Sequence, residues 1–208
     1  MGRLPRWGKV AAAGGVVLAG VTISQRVKPL PCPYALRWMT DIPRPYLTRR
    51  KVVEILEAQP GERALEVGPG PGYHTFAVAE RLEPGGELHV FDIQQKMLDA
   101  LMQRAAKRGV DNVVPRQGDA RRLPYADDSF DAALLVTVLG EIPGQEAALR
   151  ELHRVIRAGG RVVVGETPAL DPHFVRFPVL RRRAEEAGFR FEHRMGPGLA
   201  FLARFRRD

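Results

Sequence analysis

The sequence predicts an α/β fold: a doubly wound sheet of seven strands, mostly parallel, with an antiparallel strand at the C-terminus. Three observations carry this. Short apolar runs alternate along the chain with segments whose apolar residues recur at helical spacing. One run, from Phe130 to Val138, is almost continuously apolar, as a central parallel strand covered on both faces requires. A third run, Ala64 to Val67, passes directly into a turn with glycines at 68, 70 and 72 and then into a helical pattern.

Taken in order, residues 1–28 form a hydrophobic segment, 29–46 a cap rich in proline and aromatics, and 47–208 the α/β domain. Arg3, Arg6 and Lys9 precede an uncharged run from Val10 to Ile23, and Arg26 and Lys28 follow it. Fourteen helical residues reach roughly 21 Å, short of a bilayer core of about 30 Å, but Trp7, Gly8 and Ser24 extend the stretch and Lys9 can snorkel. No Ala-x-Ala-like cleavage site follows, and four glycines make a poor soluble helix. The segment is therefore expected to be an anchor or membrane-embedded helix, with membrane contact through residues 7–25. The domain is expected to face the cytoplasm, the alternative being a cytoplasmic protein. In the cap, Trp38, Met39 and Tyr46 are expected to line an apolar pocket, to sit at a membrane interface, or to cover the sheet edge.

Within the domain, Arg44 to Glu57 reads as a helix stopped by Gln59-Pro60-Gly61. The strand Ala64–Val67 and the glycine turn come next, then a helix from Tyr73 to Leu82. Leu88 to Asp92 alternates as a strand, Met97 to Arg108 is a helix closed by Gly109, and Val113 to Arg116 is the third strand. The apolar run 130–138 is the fourth strand. The helix Ala147–Arg157 is expected to end at Gly159-Gly160, before a fifth strand at Arg161–Gly165. A helix over Val179–Ala187 and two strands, Phe189–His193 and Leu199–Phe205, close the chain.

Ligands of such Rossmann-like sheets bind at the carboxyl ends of the strands, near the switch point. Acids stand at those ends here. Glu66 ends strand one, Asp92 ends strand two, Asp119 follows strand three, and Glu141 follows strand four. The turn itself is a poor phosphate cradle. Pro69 and Pro71 lack amide donors, Tyr73 occupies the place of the third glycine in the dinucleotide fingerprint, and no Gly-Lys-Ser/Thr follows. It provides room more than donors. Asp92, 24 residues after Gly68, suits a ribose.

Glu66-x-Gly68-x-Gly70-x-Gly72 resembles motif I of the class I S-adenosylmethionine-dependent methyltransferases. Gly118-Asp119-Ala120, the stretch from Ser129 to Leu135, and the stretch from Leu152 to Val164 with its double glycine resemble later segments of the same family in order and spacing. The likeness spans about residues 50–166 and is nearest to the branch containing ubiquinone/menaquinone C-methyltransferases and lipid N-methyltransferases. It implies S-adenosyl-L-methionine as cofactor, held by Glu66, Gly68, Gly70, Gly72, Tyr73, Asp92, Ile93, Asp119, Ala120, Val136 and Thr137. Asp119 would meet the adenine amino group and Ile93 its face, whereas Asp131, opening strand four, is structural. Glu141, His173 and Tyr46 are the candidates for contact with the methyl acceptor. Relatives often carry an aromatic or histidine pair where Gly140 and Glu141 stand.

The chain has 208 residues, 45% hydrophobic and 27% charged, with a net charge of +8. That size and content suit one globular domain, and the basic balance favours an anionic surface. No aromatic-basic repeat accompanies it, so a nucleic-acid partner is not expected. The single cysteine, Cys32, excludes an internal disulfide. No metal site is expected. The implied activity is methyl transfer to a lipophilic or membrane-resident acceptor, a phospholipid amine head group or a quinone-like ring. The alternatives are a soluble small molecule or thiol, or a non-catalytic cofactor-binding module.

Overall fold

A computed structural model describes residues 29–208 except Leu170 and Pro172. The expected hydrophobic helix within 1–28 lies outside the described residues. Among the described residues, no helix is long and apolar enough to cross a membrane.

The sheet has seven strands: β1 Arg63–Val67, β2 Glu87–Asp92, β3 Val113–Gln117, β4 Phe130–Val136, β5 Ile156–Glu166, β6 Phe189–Met195 and β7 Phe201–Arg207. Their order across the sheet is β3-β2-β1-β4-β5-β7-β6. The first five run parallel, and β7 inserts antiparallel between β5 and β6. The chain leaves the middle at β1, winds outward to β3, then returns to β4 beside β1. That reversal opens a crevice at the strand ends.

Five helices cover the two faces: α1 Arg49–Leu56, α2 Thr75–Leu82, α3 Gln95–Arg108, α4 Gln145–Val155 and α5 Phe177–Glu186. Strand residues alternate between the two core layers. Leu65, Ala133 and Leu135 pack with Leu149, Leu152 and Leu180 on one face. Ala64, Ala132 and Leu134 pack with Ile55, Val78 and Leu98 on the other. This period of two on buried strands is what β geometry imposes.

Three boundaries depart from expectation. Helix α1 begins at Arg49, five residues late, because Pro43, Pro45 and a left-handed Tyr46 (φ 70°) hold the chain in turns until Thr48 caps the helix through the Lys51 amide. The glycine turn continues through Tyr73, so α2 starts at Thr75. The glycine pair 159–160 lies inside β5 instead of before it. Ile156 already pairs with Phe130, and the register slips before Arg161 meets Ala132. A Cβ on Gly160 would stand 2.5 Å from Ile156 Cγ2, so the bulge requires glycine there.

One buried cation fixes α1 to the sheet. Arg161, 6% exposed, pairs with Glu62 at 2.6 Å and donates to the carbonyls of Leu56 and Glu57 at the helix C-terminus. At one edge of the sheet, β3 carries Pro115 opposite Val90.

Candidate functional site: a cavity at the switch point

A cavity of about 320 Å³ opens where β1 and β4 diverge. Its walls come from the ends of β1, β2 and β4, the loops after β3 and β4, and the cap. The cap includes a short helix, Tyr34–Asp41, of the tighter kind with three residues per turn. Three contacts fasten it across the crevice. Asp41 forms a two-pronged ion pair with Arg104 of α3 at 2.6 and 3.0 Å. Gln94 Nε2 donates to the Cys32 carbonyl at 2.9 Å. The Cys32 amide donates to Glu141 Oε2 at 3.1 Å.

The glycine turn forms the floor. Gly68, at φ 65°, donates its amide to the Phe91 carbonyl at 2.8 Å. A Cβ there would stand 2.5 Å from Val138. Gly70, at φ 55°, lies under Thr40 of the cap. Both positions demand a residue that tolerates left-handed backbone and close approach. Gly72 lies behind the turn, against Phe76 and Leu101, and does not line the cavity.

Two of the strand-end acids, Glu66 and Asp92, line the cavity with no cation in contact among the described residues. Burial raises the Glu66 carboxyl to about 7, against a 2.6 Å hydrogen bond from Thr75 Oγ1 that lowers it. Burial also raises Asp92, although the Gln94 amide donates to its Oδ1 at 2.8 Å. Two desolvated acids on one wall favour a ligand that brings positive charge. Ile93, half exposed, and Ala120 line the next stretch, while Val136 and a left-handed Thr137 line the β4 side. Asp119 is there too, but Arg121 holds both of its carboxylate oxygens at 2.6–3.0 Å and keeps its pKa low. A ligand would share Asp119 with that guanidinium.

Beyond the turn the cavity changes character. Leu30, Pro31, Met39, Ile142 and Pro143 make an apolar end, with Glu141, Asp171 and Arg44 as its polar groups. Burial raises Glu141 to about 8, with the Asp171 charge adding to it. Burial raises Asp171 to about 6. Glu141 is therefore mostly a neutral hydrogen-bond donor at neutral pH, while Asp171 is mostly ionised.

The cavity gathers Glu66, Gly68, Gly70, Tyr73, Asp92, Ile93, Asp119, Ala120, Val136, Thr137 and Glu141. Besides Gly72, two sequence candidates are placed elsewhere. Tyr46 is 40% exposed outside the lining, because its left-handed turn swings the ring toward Lys51, whose Nζ lies 4.4 Å from the ring centre. His173 also lies outside the lining, since its backbone packs behind Gly140 and turns the ring into the protein, where Nε2 has no partner. Of the cap aromatics and Met39, only Met39 reaches the cavity, and Trp38 is 57% exposed. Sequence reasoning passed over Thr75, His74, Gln94 and Arg44. Thr75 was legible as the hydroxyl one helical turn from the glycines. Arg44, between two prolines, carried no pattern at all.

Residues 58–180 match the family model described as a methyltransferase domain, which is more than half of the chain. The chain belongs to the methyltransferase-domain family. The family and fold imply S-adenosyl-L-methionine as cofactor. The demethylmenaquinone methyltransferase of Geobacillus kaustophilus is 36% identical over 119 residues, 57% of this chain and 51% of that protein. The chain spans about half the length of the curated relatives it matches. A SAM-dependent methyltransferase from Aquifex aeolicus shares the fold with a TM-score of 0.75 at 19% identity, over 84% of this chain and 98% of that one. The [4+2]-cyclase SpnF matches with a TM-score of 0.64 at 26% identity, over 71% of this chain and 57% of that one.

The residues present fit the implied cofactor. Glycine backbones at 68 and 70 leave room for close approach, and Glu66 and Asp92 offer unneutralised acceptors to a ligand bearing cations and hydroxyls.

Proposed function

We propose that this protein is an S-adenosylmethionine-dependent methyltransferase acting on a lipophilic acceptor, a quinone-like ring or a lipid amine head group. The observation that carries the reading is one cavity lined by two unlike sets of residues: strand-end acids and glycines, and an apolar set with Glu141 and Asp171. The acceptor class draws further support from the name of the Geobacillus relative and from Leu30, Trp38, Ile42 and Tyr46, which expose apolar surface on the cap.

The bound cofactor would supply an electrophilic methyl group on a sulfonium. Asp92 would accept hydrogen bonds from its ribose hydroxyls, and Glu66 would face its positive charge. The cap, tied down through Asp41, Cys32 and Gln94, would help to exclude water from the bound cofactor. Holding the nucleophile in line is worth up to roughly 7–11 kcal/mol, so no strong base is needed. Glu141, fixed by the Cys32 amide at Oε2, would orient the acceptor's hydroxyl or amine as a neutral hydrogen-bond donor, and the ionised Asp171 near it can take up the proton released.

The test is transfer of labelled methyl from S-adenosylmethionine by the full chain into a total lipid extract, a soluble metabolite extract and RNA in parallel. Label in the lipid fraction is expected. Label confined to the soluble fraction rejects the lipophilic acceptor. Failure to bind the cofactor rejects the methyltransferase reading itself, a needed control because a cyclase shares this fold.

A further inference from the structure

The outer surface of the cap has a composition that neither the core nor the cavity uses. Seven large apolar side chains are exposed among the described residues, and four of them, Leu30, Trp38, Ile42 and Tyr46, fall within residues 29–46. Single exposed apolar residues scattered over a protein are ordinary, whereas a concentration on one short segment marks a contact surface. On the helix Tyr34–Asp41, Ala35 and Trp38 stand one three-residue turn apart and both are exposed, while Met39 lines the cavity. The short helix therefore has an outer side, and Trp38 is on it.

Cations border these side chains. The Arg37 guanidinium lies 4.3 Å from the centre of the Tyr34 ring, and Lys51 holds the same relation to Tyr46 at 4.4 Å. Arg49, Arg50 and Lys51 are the first three residues of α1, and no acid stands in that turn. The helix dipole opposes positive charge at this end, so the fold gains nothing from the placement. Arg37, Arg49, Arg50 and Lys51 form no ion pair among the described residues, and Asp41, the one acid between positions 29 and 51, is taken by Arg104. Exposed aromatic and apolar groups interleaved with unpaired cations suit a surface that is negative outside and apolar beneath. A second copy of the chain is a worse occupant, because two such faces would set cations against cations. The surface is also continuous with the cavity, since Leu30, 48% exposed, lines it together with Pro31 and Met39 of the same cap. In the sequence, the uncharged run 10–23 leads toward this cap.

We propose that the cap docks on an anionic bilayer surface, with Trp38, Ile42 and Tyr46 entering the headgroup region and Arg37, Arg50 and Lys51 meeting lipid phosphates. Docked in this way, the cap holds the apolar lining of the cavity against the lipid, where a lipophilic acceptor can enter without crossing water. The docking itself needs neither cofactor nor acceptor, so vesicles free of both test it separately from the methyl-transfer reading.

The full chain carrying Trp7→Phe keeps Trp38 as its sole tryptophan. Its emission is followed as vesicles of phosphatidylcholine and phosphatidylglycerol, brominated on the acyl chains near the headgroup, are added. The emission should shift to the blue and be quenched. Phosphatidylcholine alone should give a response at least about tenfold weaker. Arg50→Gln with Lys51→Gln should raise the lipid concentration needed about 10–30-fold, and Ile42→Asp should reduce the quenching. Circular dichroism melts establish that each variant is folded. Added salt should weaken the response of the unsubstituted cap as well, which reads the cation dependence without the double variant. Flotation of the chain with vesicles while Trp38 emission stays unchanged overturns the proposal, because another segment then makes the attachment. Equal quenching by neutral and anionic vesicles overturns it too. So does a blue shift that grows with protein concentration in the absence of lipid, which assigns the face to a second copy. Methyl label confined to the soluble extract, with Trp38 still quenched by anionic vesicles, rejects the acceptor class and upholds the docking.

Discussion

Glu141→Gln isolates what burying an acid costs this fold. The Glu141 carboxyl moves from 4.5 to about 8 as it is desolvated beside Asp171. Between those values the folded chain keeps a proton that the unfolded chain has released. The folded state binds more protons, so stability falls as pH rises through the window and is flat above about 8. At about 1.4 kcal/mol per pH unit, the full window of roughly 3.5 units is worth at most about 5 kcal/mol. The side chain is only partly buried and opens on the cavity, so water screens the charge and about 2 kcal/mol is the expected size. Glutamine has the same shape, and its amide oxygen can still accept the Cys32 amide. The assay is urea unfolding of both proteins at pH 5, 7 and 8.5 at constant ionic strength. At pH 5 the two should be nearly equal. At pH 8.5 the variant should be more stable by about 2 kcal/mol. Glu66 titrates in this range in both proteins and cancels, whereas Asp171 is coupled to Glu141, so the difference reports position 141 together with that coupling. A difference that does not widen with pH refutes the reasoning.

Other perturbations bear on the same scaffold. Asp92→Ala should weaken cofactor binding about 10–100-fold by calorimetry, because a charged hydrogen bond to ribose is worth about 1.5–3 kcal/mol. Arg161→Met should cost about 3–5 kcal/mol in chemical unfolding, since it leaves Glu62 and two helix-end carbonyls without their shared donor. Gly140→Ala should destabilise by about 1–3 kcal/mol, because its new methyl meets the His173 backbone carbonyl, which cannot rotate away as a side chain would. Burial and Glu141 raise the Cys32 thiol from 9.0 to about 11, so alkylation by iodoacetamide at pH 8 should run about 100-fold slower in the folded than in the urea-unfolded chain.

The sheet and the cofactor wall were legible because their signals are local. The apolar periods, the three glycines and the acids at 66, 92 and 119 all lie within a strand or one turn beyond it. What escaped depends on contacts distant in sequence. Nothing near Gly159 and Gly160 says that Ile156 already pairs with Phe130, so a bulge inside β5 read as a helix stop. The roles assigned to Tyr46 and His173 followed residue type, but a left-handed turn and the packing behind Gly140 aim both rings elsewhere. The cap is the extreme case. Cys32 meets Glu141 across 109 positions and Gln94 across 62, and Arg44 lines the cavity from the same cap. Chemistry that depends on such folding back has no periodicity to announce it.

Pro115 also decides how copies of this protein can meet. As an outer strand, β3 would otherwise extend a ladder of amides toward any neighbouring chain, but proline has no N–H to give. At the opposite border, β6 sets Arg190, Glu192 and Arg194 along its length. Edge-to-edge pairing of the described sheet is thus disfavoured at both margins, by a missing donor on one side and by charged side chains on the other.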